Sequence, residues 1–278
     1  MPIISRKYDE LRNRLANLGD VLVAYSGGVD STLLAFTAHA VLGDRCLAVL
    51  AVSDVHPSWE IDDARTTART LGLRLHEVET YELADPRFRA NGTERCYYCK
   101  AEMFALFREI ARTRGISWVL DGTNADDGRE RRPGRRAAAE YHILSPLSDV
   151  GLHKDEIRDL SEQLGLPTWD KPSMACLATR FPYDMPLDDV MLGRVTAAEE
   201  AARGLGLKQV RVRTHGDIAR IEVDPTEMEL AFQLRDQLTY ALKSAGFSYV
   251  TQDLEGYRTG SFDANQPVEE GSSDSELA

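Results

Sequence analysis

A short loop rich in glycine and serine, Ser26–Ser31, is the segment of this sequence best suited to chemistry. The apolar run Val21–Tyr25 before it predicts a strand, and Thr32–Val41 after it predicts a helix. Gly27 and Gly28 permit backbone conformations with positive φ, so an anion can approach the main chain closely. The N–H groups at the start of the following helix then face that anion. We therefore interpret this segment, hereafter the phosphate loop, as a pyrophosphate-binding site.

The polar side chains of the phosphate loop fit this interpretation. Ser26 and Ser31 provide hydroxyl donors, whereas the carboxylate of Asp30 would repel phosphate and is better suited to hold Mg²⁺. The loop lacks the Gly-Lys-Ser/Thr ending of the common nucleotide-binding loop and the Gly-x-Gly-x-x-Gly pattern of dinucleotide-binding proteins. The alternative is a glycine-rich turn that only caps a core helix.

Three of the four cysteines are candidates for sulfur or metal chemistry. Cys96 and Cys99 form a Cys-x-x-Cys pair at the start of a predicted helix, where the helix dipole favours thiolates. Cys176 lies in an irregular segment close to Arg180, which also favours a thiolate. Three thiolates could hold a [4Fe-4S] cluster and leave one iron open, whereas structural zinc takes four protein ligands. A redox pair, a zinc half-site and incidental cysteines remain alternatives, and Cys46 is expected to be a small core residue.

Two groups of basic residues are candidate anion sites. The first group lies in one predicted loop that contains Gly and Pro, and it consists of Arg129, Arg131, Arg132, Arg135 and Arg136. In the second, Arg211, Arg213 and His215 alternate with apolar residues and therefore share one face of a predicted strand. Two guanidiniums on one face suit a phosphate or a carboxylate. A solvated surface in the first case and ordinary strand amphipathicity in the second remain open, as does the role of Glu222.

The segments that must position these residues alternate between strand and helix patterns. After the phosphate loop and its helix, the predicted elements are strand Cys46–Ser53, helix Pro57–Leu71, strand Leu73–Glu79, helix Tyr98–Thr113, strand Trp118–Asn124 and helix His153–Leu164. This alternation predicts an α/β fold with a parallel sheet and helices on both faces. Ligands bind beyond the carboxyl ends of such strands, so Ser26, Ser53 and Gly122 should lie at one edge.

Shifts in composition predict four segments along the chain: an α/β domain at 1–170, an irregular active-site loop and linker at 171–185, a smaller α+β domain at 186–262 and a disordered acidic tail at 263–278. The predicted elements of the smaller domain are a helix to about Gly204, strands Lys208–His215 and Ile218–Val223, a helix Glu227–Ala245 and a strand Phe247–Asp253.

Composition excludes several classes of protein. The chain has 278 residues, of which 43% are apolar, and this suffices for a substantial core. It contains no apolar run long enough to span a membrane and no apolar signal stretch at its start, so we expect no membrane partner and a cytoplasmic location. Thirty-three basic and forty-five acidic residues give a net charge of -12, which disfavours a nucleic-acid partner.

Taken together, the motifs resemble one family. The phosphate loop, SGGVDS, resembles that of the PP-loop ATP pyrophosphatases, which split ATP into AMP and pyrophosphate. The wider resemblance is to the LarE family and is carried by SGGVDS (26–31), RCYYCK (95–100), DGTNADD (121–127), SPL (145–147), KPSMACLATR (171–180), VRVRTHGDIARIEV (210–223) and LEGYRTGS (254–261). It covers nearly the whole chain before the acidic tail, and it implies a Rossmann-like domain of the adenine nucleotide alpha hydrolase type.

The resemblance implies ATP-dependent sulfur transfer in the synthesis of the nickel-pincer cofactor of lactate racemase. A carboxylate of pyridinium biscarboxylic acid mononucleotide is adenylylated, pyrophosphate is released, and sulfur attacks the acyl-adenylate. In one branch of the family, the cysteine that matches Cys176 gives up its own sulfur and becomes dehydroalanine. In another branch, three cysteines hold a [4Fe-4S] cluster that carries an added sulfide. Because Cys96, Cys99 and Cys176 are all present, the cluster branch is favoured here.

The resemblance also implies roles for individual residues. On this resemblance, the residues that bind the phosphates and Mg²⁺ are Ser26, Gly27, Gly28, Asp30 and Ser31. The adenosine part of ATP would be bound by Ala24, Ser53 and Gly122. The anionic groups of the substrate would be bound by Arg180, Arg211 and Arg213. The expected cofactors are ATP, Mg²⁺ and a [4Fe-4S] cluster. The expected partners are a small polyanionic pyridinium mononucleotide, sulfide or another sulfur donor, and further copies of this chain in a homo-oligomer.

Three other functions remain possible from the sequence. Some PP-loop tRNA thiolases also combine the loop with three cysteines, although the charge of -12 counts against RNA binding. An amide-forming synthetase would need ammonia, and no amidotransferase domain is visible. A nucleotide sensor with an inactive loop is disfavoured because Ser26, Asp30 and Ser31 are all present.

Overall fold

The computed structural model describes residues 3–129, 133–173 and 175–258, and only the main chain of residues 3–5, 128 and 129. It divides into two compact units. The first consists of the chain up to Ala178 together with Asp184–Thr196, and the second of Thr179–Tyr183 and the described chain from Ala197 onward. The predicted disordered tail, 263–278, lies outside the described residues, as do Arg131 and Arg132.

The first unit contains a four-stranded parallel sheet. Its strands are β1 (Val21–Ala24), β2 (Cys46–Val52), β3 (Leu75–Glu79) and β4 (Trp118–Leu120). Their order across the sheet is β3-β2-β1-β4. Val21 of β1 pairs with Cys46 on one side and with Trp118 on the other. The carboxyl end of the central strand β1 therefore opens directly into the phosphate loop, as predicted for an α/β sheet.

Before Asp189, the described residues of the first unit form eight α-helices. They are α1 (Ile3–Ala16), α2 (Val29–Leu42), α3 (Ser58–Thr70), α4 (Pro86–Arg89), α5 (Arg95–Thr113), α6 (Pro133–Glu140), α7 (Pro146–Asp149) and α8 (Lys154–Gln163). A ninth helix, α9 (Asp189–Gly204), begins in the first unit and ends in the second.

Alternate residues of the central strands enter two separate cores. Val21 and Val23 belong to the core that includes residues of α1, α2 and α8, whereas Leu22 belongs to the core that includes Phe104 and Phe107 of α5. All five side chains are nearly inaccessible to solvent. A strand that buries both faces needs helices on both sides, which explains its continuously apolar sequence.

The second unit contains a three-stranded sheet and the helices that pack with it. Its elements are β5 (Val210–His215), β6 (Ile218–Val223), α10 (Met228–Gln233), α11 (Arg235–Ser244) and β7 (Tyr249–Gln252). The order is β5-β6-β7, with β5 and β6 antiparallel and β6 and β7 parallel. Arg211 pairs with Glu222 and Arg213 with Arg220 across β5 and β6. These four charged side chains therefore share one face of the sheet.

Several elements differ from the sequence predictions. Helix α2 begins at Val29 rather than Thr32, because the Thr32 N–H already bonds the carbonyl of Gly28 at 3.0 Å. The predicted helix Glu227–Ala245 is two helices separated at Leu234. The sequence predicted a loop around Arg135 and Arg136, but both belong to α6. That helix starts at a proline, which fits the first helical position.

None of the helices in the described part of the chain is both long enough and apolar enough to cross a membrane.

Candidate active site

The phosphate loop is held in shape by its own serines. The Ser26 N–H donates to Ser31 Oγ at 3.1 Å, and the two serine hydroxyl oxygens lie 3.0 Å apart. The Gly28 N–H points toward Ser26 Oγ at 3.4 Å. These contacts bring both hydroxyl groups and the first N–H groups of α2 to the same place, which is the arrangement that binds phosphate oxygens.

Two glycines are required by close packing around this loop. Gly27 has a φ of +70°, and a Cβ atom there would lie 2.5 Å from the Cβ of Ala64 on α3. A Cβ atom on Gly122 would lie 3.0 Å from the main-chain nitrogen of Ser31. The loop is therefore packed against α3 on one side and against Gly122, two residues beyond the end of β4, on the other.

Asp30 already has cationic and amide partners in this structure. Its carboxylate accepts a hydrogen bond from the ammonium group of Lys154, the first residue of α8. It also accepts one from the side-chain amide of buried Asn124 at 3.2 Å. The Lys154 ammonium thus supplies positive charge at the carboxylate for which the sequence predicted Mg²⁺. At this position the Asp30 carboxylate can bind a metal cation, and the Lys154 ammonium can bind the phosphates of a nucleotide.

Asp121, in the DGTNADD motif, accepts a hydrogen bond from the SPL motif. Its carboxylate accepts hydrogen bonds from the N–H and the hydroxyl of Thr123, at 3.2 and 2.8 Å. It also accepts one from the hydroxyl of Ser145 at 2.7 Å. The carboxyl end of β4 is thereby fixed to the start of α7.

A cleft of about 350 Å³ lies next to these residues in the first unit. Its lining includes the predicted site residues Ala24, Ser26, Gly28, Asp30, Ser31, Gly122 and Cys176. An apolar part is formed by Leu50, Ile61, Met103, Phe104 and Phe107. A cleft with a polar phosphate-binding end and an apolar end has the character of a nucleotide site.

Three lysines that were not predicted from the sequence line the cleft. Lys100 comes from α5, Lys154 from α8 and Lys171 from the segment before Cys176. The Lys171 ammonium donates to the carbonyl of Gly27 at 3.3 Å. Lys100 and Lys171 lie within two of the quoted motifs, RCYYCK and KPSMACLATR, and could have been found there. No sequence motif identifies Lys154, because only the folded chain brings it next to Asp30.

The turn after β2 places a histidine in the cleft. The hydroxyl of Ser53 and Nδ1 of His56 lie 3.2 Å apart, and His56 lines the cleft. Burial lowers the pKa of His56, although the nearby Glu82 carboxylate has the opposite effect. This favours a neutral imidazole near neutral pH. Among the described residues that line the cleft, Ser53 does not appear, so its assignment to adenosine stays a prediction.

The three candidate cysteines are neighbours in the first unit. Cys96 is exposed, Cys99 is half-buried and Cys176 lines the cleft. Burial is the main cause that raises the pKa of Cys99 well above its usual range, and the charges of Cys176, Glu82 and Cys96 add to it. Within the ranges that the structure describes, no three Cys, His, Asp or Glu side chains converge as a metal site.

Cys46 behaves as the sequence predicted for a core residue. It is buried on β2, and burial raises the pKa of its thiol to about 12. Such a thiol remains protonated and inert.

Two of the predicted substrate arginines, Arg180 and Arg213, form buried ion pairs in the second unit. Arg180 is fully buried, and its Nε and Nη2 donate to the two carboxylate oxygens of Glu199 at 2.9 and 3.0 Å. Arg213 Nε donates to Glu222 at 3.0 Å, and Arg220 donates to the other oxygen of Glu222. Arg180 therefore exposes no surface to an anion in this structure.

Arg211, and Arg136 of the first arginine group, have neighbours that the sequence did not indicate. Arg211 is buried, donates to its neighbour's carbonyl and lies 5.4 Å from the ring centroid of Tyr257. Arg136 pairs with Glu94 at 2.5 Å and stacks over the ring of Tyr97. At Arg136 the positive charge is thus balanced locally.

Known proteins resemble this chain over the phosphate-loop region and over nearly its whole length. Residues 8–129, which contain the phosphate loop and β1 to β4, match a family model described as asparagine synthase. The chain is 42% identical to an uncharacterized protein of Synechocystis over 93% of this chain and 97% of that protein.

Several of the relatives carry functional names. The chain is 36% identical to the pyridinium-3,5-bisthiocarboxylic acid mononucleotide synthase of Lactiplantibacillus plantarum, over 94% of this chain and 95% of that protein. It is 30% identical to one subunit of the glutamine-hydrolyzing GMP synthase of Thermococcus kodakarensis, over 69% of this chain and 64% of that protein. The first similarity includes the chain around Cys176 and the arginine strand β5, because it spans almost the full length of both proteins.

Proposed function

We propose, since this chain belongs to the LarE family of ATP-dependent sulfur transferases, that it makes the thiocarboxylate of a pyridinium mononucleotide for nickel-pincer cofactor synthesis. The chain is an enzyme that uses ATP through a PP-loop domain. The observation that supports the coupling of the two steps is the cleft itself: the phosphate loop and Cys176 line one cavity, so activation and sulfur transfer can occur side by side.

The first step is activation of a substrate carboxylate. A carboxylate oxygen attacks the α-phosphorus of ATP, the bond to the β-phosphate breaks, and pyrophosphate leaves. Ser26, Ser31 and the first N–H groups of α2 bind the phosphates. Asp30 would hold Mg²⁺, which would supply positive charge to the phosphates, and the ammonium of Lys154 beside Asp30 would then be available to the leaving pyrophosphate. The adenosine part is assigned to Ala24, Ser53 and Gly122.

The second step is attack by sulfur on the acyl-adenylate. A carbon–sulfur bond forms, the bond between the acyl carbon and the adenylate oxygen breaks, and AMP leaves. Three neighbouring thiols fit a [4Fe-4S] cluster in the chemistry of their donors, and Cys96, Cys99 and Cys176 would hold it. Such a cluster, when bound, supplies an iron without a protein ligand at which sulfide can be delivered. Because no such group of side chains converges among the described residues, the three thiols would have to move closer together to hold it.

The alternative second step uses Cys176 alone. Its thiolate attacks the acyl carbon, AMP leaves, and loss of the Cα proton then breaks the Cβ–S bond to leave dehydroalanine at position 176. This alternative needs no iron, but each protein molecule turns over once.

The substrate phosphate is assigned to Arg211 and Arg213, with Arg180 as a further candidate. The cationic face of β5 and β6 supports this assignment, since three arginines share it with one glutamate. Burial lowers the pKa of Arg213, with Glu222 opposing this effect. For an anion to reach Arg180 or Arg213, their carboxylate partners would have to release one or more donors.

The proposed reaction is tested by incubating the protein with ATP, Mg²⁺, sulfide, reduced iron and the pyridinium biscarboxylate mononucleotide. We expect equal amounts of AMP and pyrophosphate, and a product heavier by the exchange of oxygen for sulfur in mass spectrometry. The Cys176→Ala protein should form AMP but little thiocarboxylate. Formation of an amide with ammonia, or no AMP with this substrate, would contradict the proposal.

The cluster is tested separately from the overall reaction. Anaerobic reconstitution with iron and sulfide should give a brown protein, and its visible absorption should be lost in Cys96→Ala, Cys99→Ala and Cys176→Ala. Mass spectrometry after one turnover should find an intact thiol at Cys176. A cluster-free Cys96→Ala protein with full activity, or a sulfur atom lost from Cys176, would instead establish the sacrificial route.

We also propose a homo-oligomeric, cytoplasmic enzyme. Exposed apolar side chains in the second unit, among them Phe232, Tyr240 and Tyr249, support self-association. Light scattering on the purified protein tests the oligomeric state, and a mass equal to that of one chain would contradict it.

A further inference from the structure

Arg158 contacts the segment that leads into the loop around Cys176. It is a half-buried residue of α8 and is not among the described residues that line the cleft. Its Nη1 donates to the main-chain carbonyl of Trp169 at 2.6 Å, and its Nη2 to that of Lys171 at 2.8 Å. A planar guanidinium with two such hydrogen bonds fixes both the position and the direction of the chain.

The chain around Cys176 is attached at both ends. At its start, Lys171 is held by Arg158 and also donates from its ammonium to the carbonyl of Gly27. At its end, the N–H of Leu177 donates to the carbonyl of Val55, in the turn after β2, at 2.8 Å. Cys176 immediately precedes the second attachment. The position of its sulfur in the cleft therefore depends on both attachments.

The same helix also contacts the phosphate loop. Lys154 and Arg158 are four residues apart on α8, a spacing that places two side chains on one side of a helix. Lys154 pairs with Asp30 of the phosphate loop, while Arg158 bonds the segment before Cys176. Helix α8 is thus a common support for the residues of both proposed steps.

We propose that Arg158 is a positioning residue that holds the Cys176 loop at the activated carboxylate and takes no part in activation. This inference rests on the proposed function, because it assigns a residue to the second step. An acyl-adenylate reacts with water when sulfur is not within reach. A displacement of about 1 Å can cost roughly a hundredfold in rate, so loss of the attachment should waste ATP.

The main test measures AMP and thiocarboxylate in the same reaction. For Arg158→Ala, we expect AMP formation and the KM for ATP to stay within about twofold of wild type. The yield of thiocarboxylate per AMP should fall about tenfold or more. Arg158→Lys should lie between the two, because an ammonium cannot match the fork of a guanidinium. Arg69→Ala, at an exposed position of α3, is the matched control and should behave as wild type.

A second measurement does not depend on the reaction. The rate of iodoacetamide labelling at Cys176, followed by peptide mass spectrometry without substrate, should change severalfold in Arg158→Ala and not in Arg69→Ala. Unchanged labelling together with an unchanged yield per AMP would overturn the inference. If wild type makes no thiocarboxylate but labelling changes as expected, the proposed function fails and the attachment of the loop by Arg158 stands. If Arg158→Ala does not fold, the same two measurements on Arg158→Lys decide.

Discussion

Asp30 shows what sequence and structure each contribute at a single residue. From the sequence, a carboxylate in a phosphate loop predicts Mg²⁺, which stays a prediction, whereas the structure places the Lys154 ammonium against it. The type of partner follows from charge, because an acidic side chain beside phosphates must be neutralised. The identity of the partner does not, because Lys154 is 124 residues away along the chain.

Replacement of Asp30 tests its role in activation. In Asp30→Asn, the Lys154 partner loses its counter-charge and Mg²⁺ loses a ligand, so we expect AMP formation to fall at least about a hundredfold. The measurement is the rate of AMP release at saturating ATP and Mg²⁺. Asp20→Asn, an exposed position before β1, is the control and should retain full activity. An active Asp30→Asn protein would exclude the proposed magnesium role.

The cysteines should differ in reactivity according to their surroundings. At pH 8, a thiol with a pKa of about 12 is ionised in only about one molecule in ten thousand, and the pKa of Cys46 has this value. We expect iodoacetamide to label exposed Cys96 in the native protein and Cys46 only after unfolding in urea. Peptide mass spectrometry measures both. Equal labelling of Cys46 in the native protein would show that β2 opens readily.

At the scale of elements, the phosphate loop works because α2, α3 and β4 pack around it. Sequence patterns predicted the strand and the helix on either side of the loop. They did not predict that α2 begins within the loop, at Val29, or that Ala64 of α3 leaves no room beside Gly27. Helix α6 was missed because Pro133 and Gly134 at its start favour a turn or loop in local terms. Its burial of Ala137 and Ala138 against α5 stabilises the helix instead.

Replacing two glycines by alanine allows the effect of close packing to be measured separately from the effect of a positive φ. Gly27 and Gly19 both have positive φ, but a Cβ on Gly19 meets no atom within 4 Å. Gly19→Ala should therefore lose only about 1 kcal/mol of stability, with unchanged activity. Gly27→Ala must also displace α3 or the loop, so we expect a larger loss and a KM for ATP at least about tenfold higher. Urea unfolding and AMP assays measure both effects, and equal behaviour of the two variants would contradict this account.

At the scale of the whole molecule, charge is distributed unevenly. The chain carries a net charge of -12, yet three lysines line the cleft of the first unit and three arginines share one face of the second unit's sheet. We expect such cationic sites in an acidic protein to favour small polyanions over long nucleic acids. The division into units also runs through the predicted linker: Cys176 belongs to the first unit and Arg180 to the second.

The buried pair of Arg180 and Glu199 should stabilise the second unit. Both side chains are fully buried, and Glu199 also accepts the Val212 N–H at 2.8 Å. Arg180→Ala leaves a buried carboxylate without its counter-charge, and we expect a loss of about 3–5 kcal/mol in urea unfolding. Arg235→Ala, which removes an exposed pair with Asp236, should cost less than about 1 kcal/mol. A stable Arg180→Ala protein with a greatly raised KM for the substrate would instead support direct substrate binding by Arg180.

The sequence by itself determined the class of fold, the phosphate loop and the family. These depend on local order: alternating apolar periods specify strands and helices, and short motifs keep their chemistry wherever the chain carries them. Only the tertiary structure decided which side chains meet. It placed Lys154 at Asp30, Arg158 at the segment before Cys176 and Glu199 at Arg180, in each case between residues distant in sequence. Pairing of this kind depends on the packing of whole elements, and no local pattern records it.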